Sequence, residues 1–532
     1  MVTAEPSARK LPPQAALIMK RPLSGTTWHG PAARTNQAGV MSAALIAAAL
    51  IVGVNRGYGQ TIDFIRQFGS PADETAFGVA LDGTGIYVVG FTSGTLPNQQ
   101  SAGARDAFLR RYDRCGNEEW TRQFGTSGEE IALGVAASGS AAYVVGFTDS
   151  TLYEPNAGGF DAFIRRYFAN GTASWTHQFG GAGNDRGSAV AADATDVYVV
   201  GRSPAPLPGH QAGGGYLRKY GQGLGLEEWT ELWVPGTPLG SREWVAVDSF
   251  GVYVTGLSSL TGDVVIGKNH FNGNQLWTTG FGLGIVENVG GIAVDPTGLY
   301  VVGGVDGVLP LQTTAGGKDA FVKKYVGGQV PSEVWTHQFG TSADDVAEGV
   351  AATPEGFVYV VGQTFGTFDG QTSAGLGDGF VRRYTIGGDA VWTTQFGSSR
   401  RDRVLAVAAD AHSVYVVGVT EGALPGQTAS GATDAFLVRL HSGPAYIAVT
   451  KSFVENLARV GRLNTGQANS LVVKLDAANE ALDQGNQRVA RNTVNAFANE
   501  VADLTREGVL TREDGRQLSS QIAAILATLF CG

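Results

Sequence analysis

A tyrosine returns seven times in nearly the same setting. In "YVVG" and its variant "YVTG" it falls at Tyr87, Tyr143, Tyr198, Tyr253, Tyr300, Tyr359 and Tyr415, at intervals of 56, 55, 55, 47, 59 and 56 residues. Self-similarity at such a period confines the chain to a repeat architecture, in which each unit buries its apolar faces against its neighbours. From Leu133 to Phe179 a unit runs "LGVAA", "YVVGFT", a Gly- and Pro-rich loop, "DAFIRRY", a turn and "WTHQFG". These segments are short, β-branched and aromatic, with Gly, Asp, Asn and Pro at every junction. "DAFIRRY" sets Ala162, Ile164 and Arg166 against Phe163, Arg165 and Tyr167, the alternation of a strand with one partly apolar and one partly charged face. Four strands in a unit of this length specify a propeller blade, whereas leucine-rich and helical repeats carry one strand or none. The predicted fold is an all-β seven-bladed β-propeller of four-stranded blades, followed by a small all-α domain.

The array begins in the middle of a unit. "IDFIRQFGS", residues 62–70, is a last strand without its unit, and Phe64 fills the slot held later by Trp120, Trp175, Trp229, Trp277, Trp335 and Trp392. The seventh unit ends at "DAFLVRL", Asp434 to Leu440, with no such strand after it. Placing the first strand in the last blade completes the ring and leaves no unpaired edge.

The recurring "QFG", "GVA", "YVVG", "DAF" and "RYD..G...W" elements, over about residues 60–440, resemble the bacterial SBBP family of seven-bladed β-propeller repeats. That resemblance implies an exported or surface-associated protein. The fourth unit departs most, with "WVAVD" from Trp244, "LWVPG" in place of "QFG" and "DVVIGKNHF" from Asp263, so its register stays open.

From Ile447 the apolar period becomes helical: Phe453, Leu457 and Val460; Leu471, Leu475, Ala478 and Leu482; Phe497, Val501 and Leu504; Leu518, Ile522, Ile525 and Leu529. Four helices are predicted. Asn464 with Gln467 and Thr511 with Asp514 have capping spacing, and Gly485 and Gly508 stand where helices stop. "GRLNTGQANSL" and "GVLTREDGRQL" align at an offset of 47, as two related helical hairpins would. The tail resembles the FIMAH domain, a C-terminal module of exported bacterial proteins, and holds no Asp-rich calcium loop.

Ahead of the array, the uncharged "AGVMSAALIAAALIVGV" of residues 38–54 follows Lys20, Arg21 and Arg34, the order of a secretory signal or of an anchor that engages the membrane. The expected organisation is a disordered region at 1–37, a signal or anchor at 38–59, the propeller at 60–440, a linker at 441–446 and a helical domain at 447–532. The protein is expected to be secreted or held at the bacterial cell surface, as a monomer. A net charge of -10 supplies no basic surface for a phosphate backbone, so nucleic acid is excluded as a partner. The two cysteines, Cys115 and Cys531, make no disulfide framework and no metal motif, and read as incidental, with a bridge between them open in an oxidising compartment.

Repeated acids are the candidates for metal binding: Asp106, Asp161, Asp319, Asp378 and Asp434 before the "AF" or "GF" strand, and Asp185, Asp345 and Asp402, with Glu74 and Glu130, just after "QFG". Calcium would need several oxygens converging from these loops. Repetition favours a structural role, since catalysis needs one asymmetric constellation and an Asp at a strand start fixes a turn. No HExxH, GxSxG or GxxxxGK[ST] motif is present, and His177 and His337, which share one repeat slot, read as solvent-facing. No cofactor is predicted, and the chain is expected not to be an enzyme. The loop after "YVVG" varies between copies, and loops on a rigid scaffold carry specificity. Tyr153, His210, Tyr216, Trp233 and Trp244 are aromatic departures from the repeat, suited to an extracellular glycan or a surface protein, with core packing the alternative for the two tryptophans. The expected function is a binding, adhesion or scaffold module. The alternative is a polysaccharide hydrolase or lyase with its site at one mouth of the propeller channel.

Overall fold

A computed structural model describes residues 61–235, 243–258, 261–282, 285–327, 331–410, 413–441, 443–484 and 486–528. The apolar run at 38–54 and Gly485 lie outside them. Among the described residues no helix is long and apolar enough to cross a membrane.

Seven antiparallel four-stranded sheets form the propeller, six of them with their strands in chain order. Blade 1 consists of Glu74–Leu81, Gly85–Thr92, Asp106–Asp113 and Glu118–Phe124, and its pattern recurs in blade 2 from Glu130, blade 3 from Arg186, blade 4 from Trp244, blade 5 from Val286 and blade 6 from Asp345. Blade 7 is the exception. Its strands Asp402–Ala409, Ser413–Thr420 and Asp434–His441 are completed by Thr61–Phe68 from the other end of the array, which pairs antiparallel with Asp434–His441 from Thr61↔His441 to Phe68↔Ala435. The predicted clasp is present, and Phe64 takes the tryptophan role, with Gly116 of blade 1 seated on its ring as Gly171 of blade 2 sits on Trp120.

The register left open in the fourth unit is regular. Trp244 opposes Thr255 and Asp248 opposes Gly251, and the third strand starts at Val264, directly after Asp263. The expected linker at 441–446 is used otherwise, since His441 ends a strand and helix α1 starts at Gly443.

Packing between blades explains the charged half of "DAFIRRY". The first basic residue of the pair lies on the "QFG" phenylalanine of the preceding blade: Arg110 on Phe68 at 4.0 Å, Arg165 on Phe124 at 4.9 Å, Arg218 on Phe179 at 3.9 Å, Lys323 on Phe281 at 4.8 Å and Arg382 on Phe339 at 4.8 Å. Cations stacked this way gain from the ring quadrupole while covering apolar surface. His177 and His337 join the same seams and are half-buried, not solvent-facing. Each stacks on the next blade's tyrosine: His177 on Tyr220 at 5.6 Å and 8°, His337 on Tyr384 at 5.5 Å and 11°.

The C-terminal region is four helices, α1 (Gly443–Arg459), α2 (Thr465–Asp483), α3 (Gln487–Arg506) and α4 (Arg512–Thr528). They share a hydrophobic core of their own built on Val454, Leu471, Leu475, Phe497, Leu518 and Ile525. Asn464 and Gln467 close a full capping box, and Thr511 and Asp514 bond reciprocally at the start of α4. Gly508, at φ 75°, ends α3 in the left-handed region. Cys115, for which the sequence left a bridge open, is disulfide-bonded. Separation along the chain carries no information about proximity in space.

Candidate functional site

Strand alternation puts the variable loops after "YVVG" and the turns after "QFG" at one end of every blade, and the short turns at the other. On this loop face the glutamine of "QFG" is the organising side chain. In blade 6, Gln395 Nε2 donates to Asp378 Oδ2 at 2.7 Å and to the Gly366 carbonyl at 3.0 Å, while its Oε1 accepts from the Phe368 N–H at 3.0 Å. Asp378 Oδ2 also accepts from the Ala374 N–H at 2.9 Å. One glutamine and one aspartate thereby pin both limbs of the variable loop. The same latch recurs as Gln67–Asp434, Gln123–Asp106, Gln178–Asp161 and Gln338–Asp319. Blades 3 and 4 carry Leu232 and Gly280 in the glutamine slot and have no such latch.

The second set of acids starts each following blade. Asp345 Oδ2 accepts from the Thr341 hydroxyl at 2.9 Å and from the Thr341 N–H, just past "QFG". The glycine of "QFG" is wedged between the two acids: a Cβ on Gly340 would meet Asp319 Oδ1 at 2.6 Å and Asp345 Oδ2 at 2.7 Å, so no larger residue fits. Burial pushes the carboxyls of Glu74, Glu130, Asp185, Asp345 and Asp402 up, against their hydroxyl and N–H donors. The paired charges Asp434, Asp161, Asp319 and Asp378 add to the rise at Glu74, Asp185, Asp345 and Asp402 respectively.

The eight aspartates expected as metal candidates therefore stand as two rings of turn-fixing groups. Among the described residues no three His, Cys, Asp or Glu side chains converge as a metal site. Tyr153 and His210 lie in latch-face loops, Tyr153 67% exposed and His210 half-exposed. Tyr216 and Trp233 do not reach the surface. Tyr216 is fully buried, its hydroxyl donating to the Arg186 carbonyl at 2.8 Å, and Trp233 fills the "QFG" phenylalanine position within the core of blades 3 and 4. Both are core residues because the repeat already demands a large ring in those slots. Trp244 is half-buried in the channel wall and donates Nε1 to the Val289 carbonyl at 3.0 Å.

The central channel is walled by the innermost strands. Its cavity of about 140 Å³ is lined by Phe77, Leu133, Trp244, Gly291, Gly349, Leu405 and their apolar neighbours, with no carboxylate among them. Two described acids near the channel wall are engaged: Glu348 pairs with Arg403 at 2.7 Å, and Glu243 accepts from the Ser188 hydroxyl.

The C-terminal helices match a known domain. Residues 447–527 match the FIMAH domain. The FIMAH match and the helical core coincide, from Ile447 in α1 to Ile525 in α4. The chain is similar to the regulatory protein FlaEY of Caulobacter vibrioides, 26% identical over 392 residues, 66% of this chain and 37% of the relative. The chain thus spans little more than a third of that relative's length. Among solved structures it aligns with the subtype N10 neuraminidase-like protein of A/little yellow-shouldered bat/Guatemala, at 10% identity and TM-score 0.34 over 71% of this chain and 99% of that one. It also aligns with the subtype N11 neuraminidase-like protein of A/flat-faced bat/Peru, at 8% identity and TM-score 0.35 over 72% and 94%.

One departure from the repeat escaped the sequence reading. At the short-turn end, between blades 4 and 5, a cavity of about 390 Å³ opens beside Trp277 and Lys268. The signal for it is modest: the interval from Tyr300 to Tyr359 is the longest in the array, and Leu276 stands where two other copies have Glu119 and Glu228.

Proposed function

We propose that this chain is an exported or cell-surface bacterial protein and that its propeller is a non-catalytic binding, adhesion or scaffold module for an extracellular glycan or surface protein. The observation that carries the reading is the latch. Five copies of one Gln–Asp device hold loops of five different sequences on the same face, a constant frame beneath a variable surface. The apolar, carboxylate-poor channel supports binding over hydrolysis, which asks for a pair of acids flanking a scissile bond. The FIMAH match supports a bacterial surface location, and the disulfide at Cys115 fits an oxidising compartment.

The test is binding of the full chain to bacterial glycans, cell-wall fragments and surface proteins, repeated with the exposed Tyr153→Ala variant and analysed for product. Saturable binding without turnover, weakened by the loop substitution, is expected. Degradation of a bound polysaccharide would refute the reading.

A further inference from the structure

At four junctions on the loop face an acid or amide stands just before the buried acid that starts the next blade, and it is tied to the end of the variable loop. Glu129 pairs with Arg105 at 3.5 Å, Asp73 accepts from the Thr433 hydroxyl at 3.1 Å, Asp344 from the Lys318 N–H at 3.0 Å and Asn184 from the Phe160 N–H at 3.1 Å. The junction of blades 6 and 7 reverses the charge. Arg401 holds this slot, and Arg400 stands before it where the other four have Ala72, Gly128, Gly183 and Ala343. Both arginines are exposed. Among the described residues neither guanidinium makes an ion pair or a hydrogen bond, and that of Arg401 rests only over the Phe365 ring, at 5.9 Å.

Two more departures from the repeat keep this cation open. Gly377 ends the loop where four other copies carry Arg105, Phe160, Lys318 and Thr433, and it lies against Phe365, so close that a Cβ would stand 3.2 Å from the ring. Phe365 in turn fills a slot that is Asp149, Asp306 and Glu421 in blades 2, 5 and 7, and it is 41% exposed. Leu376, 67% exposed, lies alongside and donates its N–H to the Arg400 carbonyl at 3.2 Å. The neighbouring acids do not neutralise the pair. Asp402 is buried and accepts from the Ser398 N–H and hydroxyl, at 2.6 and 3.0 Å, and Glu348 is held by Arg403 at 2.7 Å. Glu421, whose N–H donates to the Arg401 carbonyl at 2.9 Å, forms no ion pair among the described residues. A chain of net charge -10 thus presents two unpaired guanidiniums beside an open aromatic ring.

We propose that the loop face at the junction of blades 6 and 7 binds an acidic polysaccharide, a sugar carboxylate seated on Arg400 and Arg401 and a sugar ring lying on Phe365. A guanidinium offers its N–H groups as a planar fork that matches a carboxylate, and two of them side by side suit a polymer that carries an acid on successive units. The exposed ring takes the C–H face of a sugar without asking for further polar partners. That ring favours a sugar over an acidic peptide, since aspartate and glutamate bring no flat face to it. The patch is open to solvent and not enclosed, so it receives a chain passing over the surface, whereas a small molecule needs burial on most sides. A nucleic acid backbone asks for many more cations than this chain supplies. This inference rests on the proposed binding role and names the ligand class and the part of the loop face that receives it.

The test is calorimetric titration of the full chain with a hexamer of galacturonic acid and with the neutral galactose hexamer. Arg401→Asp, which installs the acid that the repeat carries in this slot, and Phe365→Ala are compared with the parent, with Tyr153→Ala and with Arg506→Met on α3, after equal melting temperatures have shown that each is folded. Binding of the acidic hexamer is expected to weaken about tenfold or more in Arg401→Asp, from loss of a charge-assisted contact, and several-fold in Phe365→Ala, with Arg506→Met unchanged and the neutral hexamer bound far more weakly. Equal binding of the two hexamers, or an unchanged Arg401→Asp, overturns the site. No binding of the acidic hexamer by a chain that still binds another glycan or a surface protein overturns it and leaves the binding role in place, as does acidic-hexamer binding lost only in Tyr153→Ala. Binding of a glutamate hexamer in preference to the acidic sugar overturns the ligand class.

Discussion

Replacing Gln395 by alanine tests whether the loop face is built as described. The substitution deletes the bond to the Asp378 carboxylate at 2.7 Å and two neutral bonds to the Gly366 carbonyl and Phe368 N–H, at 3.0 Å each. A hydrogen bond to a charged group contributes about 1.5–3 kcal/mol and a neutral one about 0.5–1.5, so the sum is roughly 2.5–6 kcal/mol. Gln395 is 8% exposed and Asp378 1%, but the loop they hold is open to solvent, so water can take up part of the loss. The expected cost is therefore in the lower half of that range, about 3 kcal/mol. It should appear in two readouts: a lower guanidinium midpoint followed by tryptophan fluorescence, and faster proteolytic cleavage within residues 365–377. Thr394→Ala, the neighbouring half-buried position, serves as control and should change stability by no more than about 0.5 kcal/mol. If Gln395→Ala matches that control and the loop stays resistant, the glutamine is a bystander and the latch is not what holds the loop.

Three further outcomes are expected. Deleting residues 60–70 should lower the melting temperature by several degrees relative to deletion of 1–59, because Ile65 and Phe68, 8% and 9% exposed, leave the core of blade 7 at about 1.5–3 kcal/mol each; equal melting temperatures would discard the clasp. The raised carboxyls of Glu74, Glu130, Asp185, Asp345 and Asp402 bind protons more readily in the folded state, so their contribution is fully present below the ordinary carboxylate range and is lost as pH rises through their folded values. Calorimetry should accordingly find a higher melting temperature at pH 5 than at pH 7.5, and a fall between 7.5 and 5 would contradict the buried pairs. Gly388→Ala should cost about 1–3 kcal/mol, since it puts a Cβ at φ 97° and 2.9 Å from His337 Nε2; a neutral result in urea unfolding would show that the turn can shift off Trp335.

The ring was legible because its signals are local and repeated: seven tyrosines gave the blade count, and a strand missing at one end and surplus at the other gave the closure. Burial was not legible, because a period of two says which residues share a face but not what covers that face. Arg165 read as part of a partly charged strand face, and His177 as solvent-facing, yet each is covered by the neighbouring blade. The same gap misplaced Tyr216, whose departure from the repeat suggested a ligand when its slot simply calls for a large ring, and left Trp233 open between a ligand and the core in which it lies. The acids were legible as turn-formers but not as pairs, since Asp319 and Asp345 meet only across a junction between blades.

The clasp has a mechanical consequence. Thr61 lies directly opposite His441, so the two ends of the propeller chain leave side by side from adjacent antiparallel strands. A pull applied between them loads the ladder one pair at a time, from Thr61↔His441 inward to Phe68↔Ala435, and peels the strands apart without shearing them. If the segment before residue 61 and the helices after residue 441 are ever held by different supports, tension opens the ring at this one seam, at a force far below that needed to break any other blade.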